Sequence, residues 1–234
     1  GSQIVVEEYL TGPEVSVLSF TDGETVVPMV SSMDHKRAHD NDEGLNTGGM
    51  GTIAPNPYYT QETAERCMKE IFLPTIEAMQ QEGRPFKGCL YFGLMLTPSG
   101  PKVIEYNCRF GDPETQVVLP LLESDLFTIM KVCRNGTLSK TEVSFSKGSA
   151  CCVVMASSGY PESYEKGYEI TVDNGAEAEI FVAGAKLSDG RLLTNGGRVL
   201  GVTATADRSD KKNLGQYFDS LAYKYPMRKA AKEG

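Results

Sequence analysis

The stretch K-V-I-E-Y-N-C-R-F-G-D-P-E, residues 102–114, decides how this chain is read. In a strand, alternate side chains face opposite ways, so Glu105, Asn107 and Arg109 share one face and Ile104, Tyr106, Cys108 and Phe110 the other. The second set predicts core. The first aligns a carboxylate, a carboxamide and a guanidinium about 6.5–7 Å apart, at the end of a strand feeding a helix start. Glu and Asn oxygens suit a hard cation such as Mg²⁺, and an arginine fork suits a phosphate. An edge strand with a solvated polar face accounts for the same alternation. Asp112-Pro113 predicts an N-cap with proline at the first helical position, where Asp112 and Glu114 would favour the helix dipole.

Upstream, residues 88–96 form a second strand candidate, joined to 102–110 by the turn Thr97-Pro98-Ser99-Gly100, so the two should pair as a hairpin. Before it, Ala64, Cys67, Met68, Ile71, Phe72, Ile76 and Met79 recur at spacings of three and four. They predict an amphipathic helix capped by Thr60, ended by Gly83 and kinked at Pro74. Ile4-Val5-Val6, residues 15–18 and residues 25–30, with the turn Asp22-Gly23, predict a small antiparallel sheet at the start. Residues 31–59 hold no period, and so long a loop in a compact domain is usually functional or disordered.

Downstream, helical pattern runs to Arg134 and stops at Asn135-Gly136. From about residue 147 the chain turns β-rich, with runs at 150–156, 180–183 and 199–206. Ser209 could cap a last helix carrying Leu214, Tyr217, Phe218 and Leu221. The expected fold class is α+β: residues 1–147 an antiparallel sheet with helices, and residues 148–234 a small β-rich, barrel-like domain with a final helix.

Composition narrows the function. The 234 residues carry 40% hydrophobic and 23% charged side chains and no apolar run near the roughly 18 needed to cross a bilayer, which excludes a disordered or membrane-spanning chain. A net charge of −8 without a basic block argues against nucleic acid as a partner, and no membrane partner is expected. The six cysteines include no C-x-x-C and sit mostly in apolar runs, predicting reduced thiols and a cytoplasmic location. Two histidines, without H-E-x-x-H, leave zinc hydrolysis and Ser-His-Asp chemistry few candidates. No secretory signal is visible, and the start without Met, close to a strand-like run, predicts residues upstream.

Three further segments bear on chemistry. Asn46-Thr47-Gly48-Gly49-Met50-Gly51 has glycines that let backbone N–H groups approach an anion, but it matches neither G-x-G-x-x-G nor a Walker A loop, and a plain turn fits as well. Asp34-His35-Lys36-Arg37 supplies an acid and two cations for an anionic substrate, or a solvated charge cluster. Glu7-Glu8-Tyr9-Leu10, followed by Glu14, could offer backbone groups to a purine edge and a carboxylate to ribose hydroxyls, or could be exposed residues at a strand end.

Taken in order, V-V-E-E-Y-L-T-G-P-E-V-S-V, D-H-K-R, N-T-G-G-M-G, G-L-M-L, V-I-E-Y-N-C-R-F-G-D-P-E-T-Q and T-N-G-G-R-V-L resemble the glycinamide ribonucleotide synthetases, or phosphoribosylamine–glycine ligases, of the ATP-grasp superfamily. The resemblance covers roughly residues 3–205. It implies ATP-dependent ligation of glycine to 5-phosphoribosylamine through a glycyl phosphate, with ATP and Mg²⁺ or Mn²⁺ as cofactors. Carried over by residue, Glu105 and Asn107 match the metal ligands, and Arg109 the holder of the transferring phosphoryl group. Asp112 joins Arg109 on the catalytic side. Glu7, Glu8, Tyr9 and Leu10 match the adenine segment and Glu14 the ribose acid. Asp34, Lys36, Asn46, Thr47, Gly48, Gly49 and Met50 fall where glycine and the sugar phosphate are met.

Strand 88–96 carries no additional metal-binding acid, as in the glycine ligases, whereas the ending Tyr225-Pro226-Met227-Arg228-Lys229 departs from the family's usual tail. The family's N-terminal domain and glycine-rich ATP lid precede the segment equivalent to residue 3, so the sequence reads as the C-terminal portion of such an enzyme. Alone it should bind ATP weakly and turn over nothing. Another ATP-grasp carboxylate–amine ligase, or a non-catalytic nucleotide-binding fragment, are the alternatives.

Overall fold

A computed structural model describes residues 4–39, 41, 43–172 and 178–205. Its framework is two antiparallel sheets. The first runs in the order β2-β1-β7-β8, from β1 (Glu14–Thr21), β2 (Val26–Pro28), β7 (Gly88–Thr97) and β8 (Gly100–Asn107). The second runs β10-β13-β9-β6-β3, from β3 (Met33–Asp34), β6 (Gly51–Ala54), β9 (Ala150–Ala156), β10 (Glu179–Val182) and β13 (Arg198–Thr205). Two ribbons complete the strands: β4 (Arg37–His39) with β5 (Glu43–Asn46), and β11 (Ala185–Ser188) with β12 (Arg191–Thr194).

The strand β1 explains why the first sheet is buried on both sides. Its sequence E-V-S-V-L-S-F-T sends Val15 and Val17 to one face, where they meet Phe72, Ile76 and Phe92 under α1 (Gln61–Cys67) and α2 (Leu73–Gln81). Leu18 and Phe20 face the other way, packing with Val117, Val118 and Leu121 from α3 (Thr115–Val118) and the turn after it. Ala54, Ala150 and Cys152 of the second sheet join this same core, so α3 fills the space between the sheets. The sheets also touch directly, because Ser16 of β1 and Ser32 exchange backbone hydrogen bonds of 3.0 and 2.9 Å.

Several expectations hold. The hairpin β7–β8 forms, Thr60 caps α1 by accepting from the Thr63 amide, and Gly136 ends α4 (Leu126–Asn135) in the left-handed region. The fold is α+β, with the second sheet a five-stranded layer that does not close into a barrel among the described residues. The last helix expected after Ser209 lies outside the described residues.

Others are corrected. Ile4, Val5 and Val6 form no strand and are 83–88% exposed, because no strand among the described residues lies alongside them. Residues 31–59 contain four short strands, two of which extend the second sheet; at two to four residues each they are too short to show a period. The long helix bends through a π turn at Met68–Phe72, just before Pro74, where the Leu73 amide donates five residues back to Met68. Asp112-Pro113 is no N-cap. That peptide is cis, the chain turns there, and α3 starts at Thr115 with Glu114 as its cap position. The helical pattern that follows is split into α3, a 3₁₀ turn at Leu119–Leu121 and α4.

Strand β8 stops at Asn107, short of the expected Phe110, and its alternation is broken. Gly93 pairs with Glu105 but Leu94 pairs with Val103, so Ile104 is an extra residue in a bulge. The bulge shifts the alternation by one: Val103 and Tyr106 line the α2 side, while Glu105 and Asn107 turn to the side of Ser16, Tyr91 and Gly93. Tyr106 is consequently half exposed at the rim of an apolar groove, with its ring edge on Phe92, and Cys108 is exposed beside it; neither is the core residue expected.

A candidate active site at the junction of the two sheets

Where β1 meets Ser32, the end of β8, the turn 109–114, the start of β3 and the 46–51 loop converge. Glu105, Asn107 and Arg109 form a linked row there. Asn107 Nδ2 donates to Glu105 Oε1 at 3.0 Å, Arg109 Nη2 reaches Asn107 Oδ1 at 3.5 Å, and Arg109 Nη1 donates to the Phe110 carbonyl at 2.9 Å. Glu105 and Arg109 are exposed and Asn107 is half-buried, so the row is open to a ligand. One carboxylate and one carboxamide oxygen, adjacent and open to solvent, form a donor set that fits Mg²⁺. Among the described residues no cluster of three or more His, Cys, Asp or Glu could hold a metal ion.

Behind the row lies a buried polar cluster. The Glu114 carboxylate, 4% exposed, accepts from Tyr91 Oη at 3.0 Å and Ser16 Oγ at 3.2 Å; those two hydroxyls lie 2.7 Å apart. Burial pushes the Tyr91 phenol well above its ordinary range, and the Glu114 charge adds to the effect. Asp34 Oδ1 is buried with no hydrogen-bond partner. Burial raises the Asp34 pKa to about 7, assisted by Glu114 and opposed by Lys36 and Arg198. Lys36 Nζ pairs with Glu14 at 2.6 Å; burial alone would lower the Lys36 pKa, but that partner outweighs it and the pKa rises. Glu14, Asp34 and Lys36 are thus brought to one place, facing Glu105 and Glu114.

The 46–51 loop is held by its own N–H groups. Thr47 N donates to Lys36 O, Gly48 N to Tyr160 Oη, Gly49 N to Thr47 Oγ1 and Met50 N to His35 O, at 2.7–3.0 Å. The glycines serve close packing: a Cβ on Gly49, whose φ is +103°, would stand 2.5 Å from Pro113 Cδ and 2.7 Å from Asp34 Oδ1. These amides are occupied within the fold, and the anion cradle read from the glycines is not formed. Asn46 is exposed and its backbone pairs with Arg37. Asp112 is bound by Arg198, with Nη2 2.9 Å from Oδ2.

Glu7, Glu8 and Tyr9 are exposed on a segment outside any strand or helix, and Glu8 pairs with Lys102, three residues before Glu105, at 2.5 Å. Leu10 is half-buried. Sequence reading missed Ser16, Tyr91, Glu114, Tyr160 and Arg198 as parts of the cluster. Only the F-G-D-P-E and T-N-G-G-R motifs could have pointed to Glu114 and Arg198; Ser16 and Tyr91 sit in runs that read as plain strand.

This sandwich of antiparallel sheet and helices, with its row of carboxylate, carboxamide and guanidinium at a strand end, is the ATP-grasp fold. Residues 1–115 match the family profile described as phosphoribosylglycinamide synthetase, ATP-grasp (A) domain, and residues 150–216 match the C domain of the same family. The chain is 49% identical over 222 residues to a phosphoribosylamine–glycine ligase of Rhodopirellula baltica, covering 93% of this chain and 51% of the relative. It is 51% identical over 208 residues to the trifunctional purine biosynthetic protein adenosine-3 of Gallus gallus, covering 87% of this chain and 21% of that protein. The crystal structure of the Thermotoga maritima phosphoribosylamine–glycine ligase superposes with a TM-score of 0.78 at 37% identity, over 88% of this chain and 51% of that one. A biotin carboxylase domain shares the fold at a TM-score of 0.58 and 16% identity, over 85% of this chain and 44% of that one. The chain belongs to the phosphoribosylglycinamide synthetase family, and it spans about half the length of the ligase relatives it matches.

Proposed function

We propose that this chain is the C-terminal portion of an ATP-dependent ligase that joins glycine to 5-phosphoribosylamine, giving glycinamide ribonucleotide, ADP and phosphate in the cytoplasm. The observation that carries the reading is the row Glu105–Asn107–Arg109, presented on one side by the β8 bulge and backed by the Glu114 cluster. Glu105 and Asn107 would hold Mg²⁺ or Mn²⁺, which when bound neutralises charge on the nucleotide phosphates. Two protein donors suit a Mg²⁺ that takes its remaining oxygens from phosphate and water. Arg109 binds the transferring phosphoryl group, and Glu14 the ribose beside the adenine segment 7–10. In the first step a glycine carboxylate oxygen takes the γ-phosphoryl group and ADP leaves; in the second the phosphoribosylamine nitrogen forms the amide bond as phosphate departs and the nitrogen gives up a proton. Asp34, Lys36 and the loop residues Asn46, Thr47, Gly48, Gly49 and Met50 line the side on which glycine and the sugar phosphate enter. The other half of the site comes from the N-terminal part of the same enzyme, in keeping with the share of the relatives' length covered here. All six cysteines are free, which suits a reducing compartment.

The test is phosphate release by the intact enzyme containing this chain, with glycine and phosphoribosylamine, against other amino acids and amines. Glycine-dependent formation of glycinamide ribonucleotide is expected, with Glu105→Gln lowering kcat at least tenfold. Preference for a different amino acid would point to another carboxylate–amine ligase, and absence of Mg²⁺-ATP binding to a non-catalytic fragment. The 234-residue chain alone is expected to form no product.

A further inference from the structure

Arg198 opens β13, 150 residues beyond the loop it holds. Its Nη1 donates to the carbonyls of Gly48, Asp112 and Gly49 at 2.5, 3.2 and 3.4 Å, and its Nη2 to Asp112 Oδ2 at 2.9 Å. The side chain is 21% exposed. A second tether from the same part of the chain is Tyr160, whose hydroxyl accepts from the Gly48 amide at 2.9 Å. Glycine at 48 makes room for the contact, since a Cβ there would stand 3.1 Å from the Arg198 Cζ and Nε. A guanidinium whose fork is turned onto two separate segments works as a clamp, a geometry that a lysine point charge cannot reproduce.

We propose that Arg198 is a positioning residue: by locking the 46–50 loop onto the Asp112 turn, it fixes the seat of the two non-nucleotide substrates beside the Glu105–Asn107–Arg109 row. The inference rests on the function proposed above. It assigns the C-terminal sheet a part in substrate placement, while the nucleotide is held by residues from the first sheet and the segment before it. Displacing a reacting group by about 1 Å can cost roughly 100-fold in rate, so a loosened loop should show in turnover as well as in binding.

The test uses the intact enzyme and measures kcat and the three KM values for wild type, Arg198→Lys, Arg198→Ala and Gly48→Ala, with melting curves for each. The first two variants should raise KM for glycine, for phosphoribosylamine or for both at least tenfold, with the ATP KM within twofold, and lysine should not rescue. Gly48→Ala keeps the arginine and needs no left-handed backbone, so it remains informative if Arg198→Ala fails to fold; the same split, smaller, is expected. KM values for glycine and phosphoribosylamine unchanged in Gly48→Ala and Arg198→Lys, or all three KM values rising together with a lowered melting temperature, would overturn the inference and leave a structural tie only. A wild-type enzyme that makes no glycinamide ribonucleotide would instead overturn the proposed function, and this inference with it.

Discussion

Asp34 sits where burial, Glu114 and Glu14 all disfavour its charge while Lys36 and Arg198 favour it, and the balance lifts its pKa to about 7 from 3.8. A carboxyl whose folded pKa is raised gives stability that is fully present below its unfolded pKa and lost as pH rises through the folded value. Wild type should therefore lose stability relative to Asp34→Asn between about pH 4 and pH 7. Urea unfolding of the two proteins is expected to agree closely at pH 4 and to favour Asp34→Asn by about 4 kcal/mol at pH 8. A difference that shrinks with pH would refute the assignment. Tyr91 is the neighbouring test: Tyr91→Phe leaves the buried Glu114 carboxylate with Ser16 as its remaining hydroxyl donor and should cost about 1–3 kcal/mol in the same assay.

At the scale of elements, β7 is the hinge of the packing, because Phe92 meets Phe72 at a ring-centroid distance of 4.2 Å and Tyr106 at 5.6 Å while its neighbours Tyr91 and Gly93 face the polar cluster. Phe92→Ala should cost about 3–5 kcal/mol, read as a lower urea midpoint with an unchanged slope. The hairpin β7–β8, the helix from Thr60 to Gly83 and the strands β9 and β13 follow from residue pattern, since each is long enough to show its period. The bulge at Ile104 does not, because it depends on which partner residue each strand position meets, and one inserted residue reverses the faces that alternation predicts. The short strands β3 to β6 are equally silent: β6 finds its place against β9, about 100 residues away, β3 pairs onto β6, and β4 and β5 pair only with each other. In the candidate site, Glu105, Asn107 and Arg109 can be picked out from their spacing, whereas the Ser16–Tyr91–Glu114 contacts and the Arg198 clamp join segments far apart in the chain and have no local signature.

Across the whole molecule, the expectation of separate units meeting near residue 147 stands beside a sheet in which β6 hydrogen-bonds onto β9 and β3 onto β6, with β13 and β10 on the far side of β9. Backbone ladders and a shared core tie the two parts, so calorimetry should give one cooperative transition rather than two, with equal calorimetric and van't Hoff enthalpies. A chain ended at residue 147 would leave β6 without β9, the longer of its two neighbours, and should unfold at lower urea than the full chain. The exposed run Ile4-Val5-Val6 has a separate consequence. Three exposed β-branched side chains in a row, with Glu7 and Glu8 behind them, can recruit the same run of a second molecule, the acids acting as a partial brake. Concentrated solutions of the 234-residue chain should therefore self-associate through this end, and Val5→Lys should keep them monodisperse by light scattering.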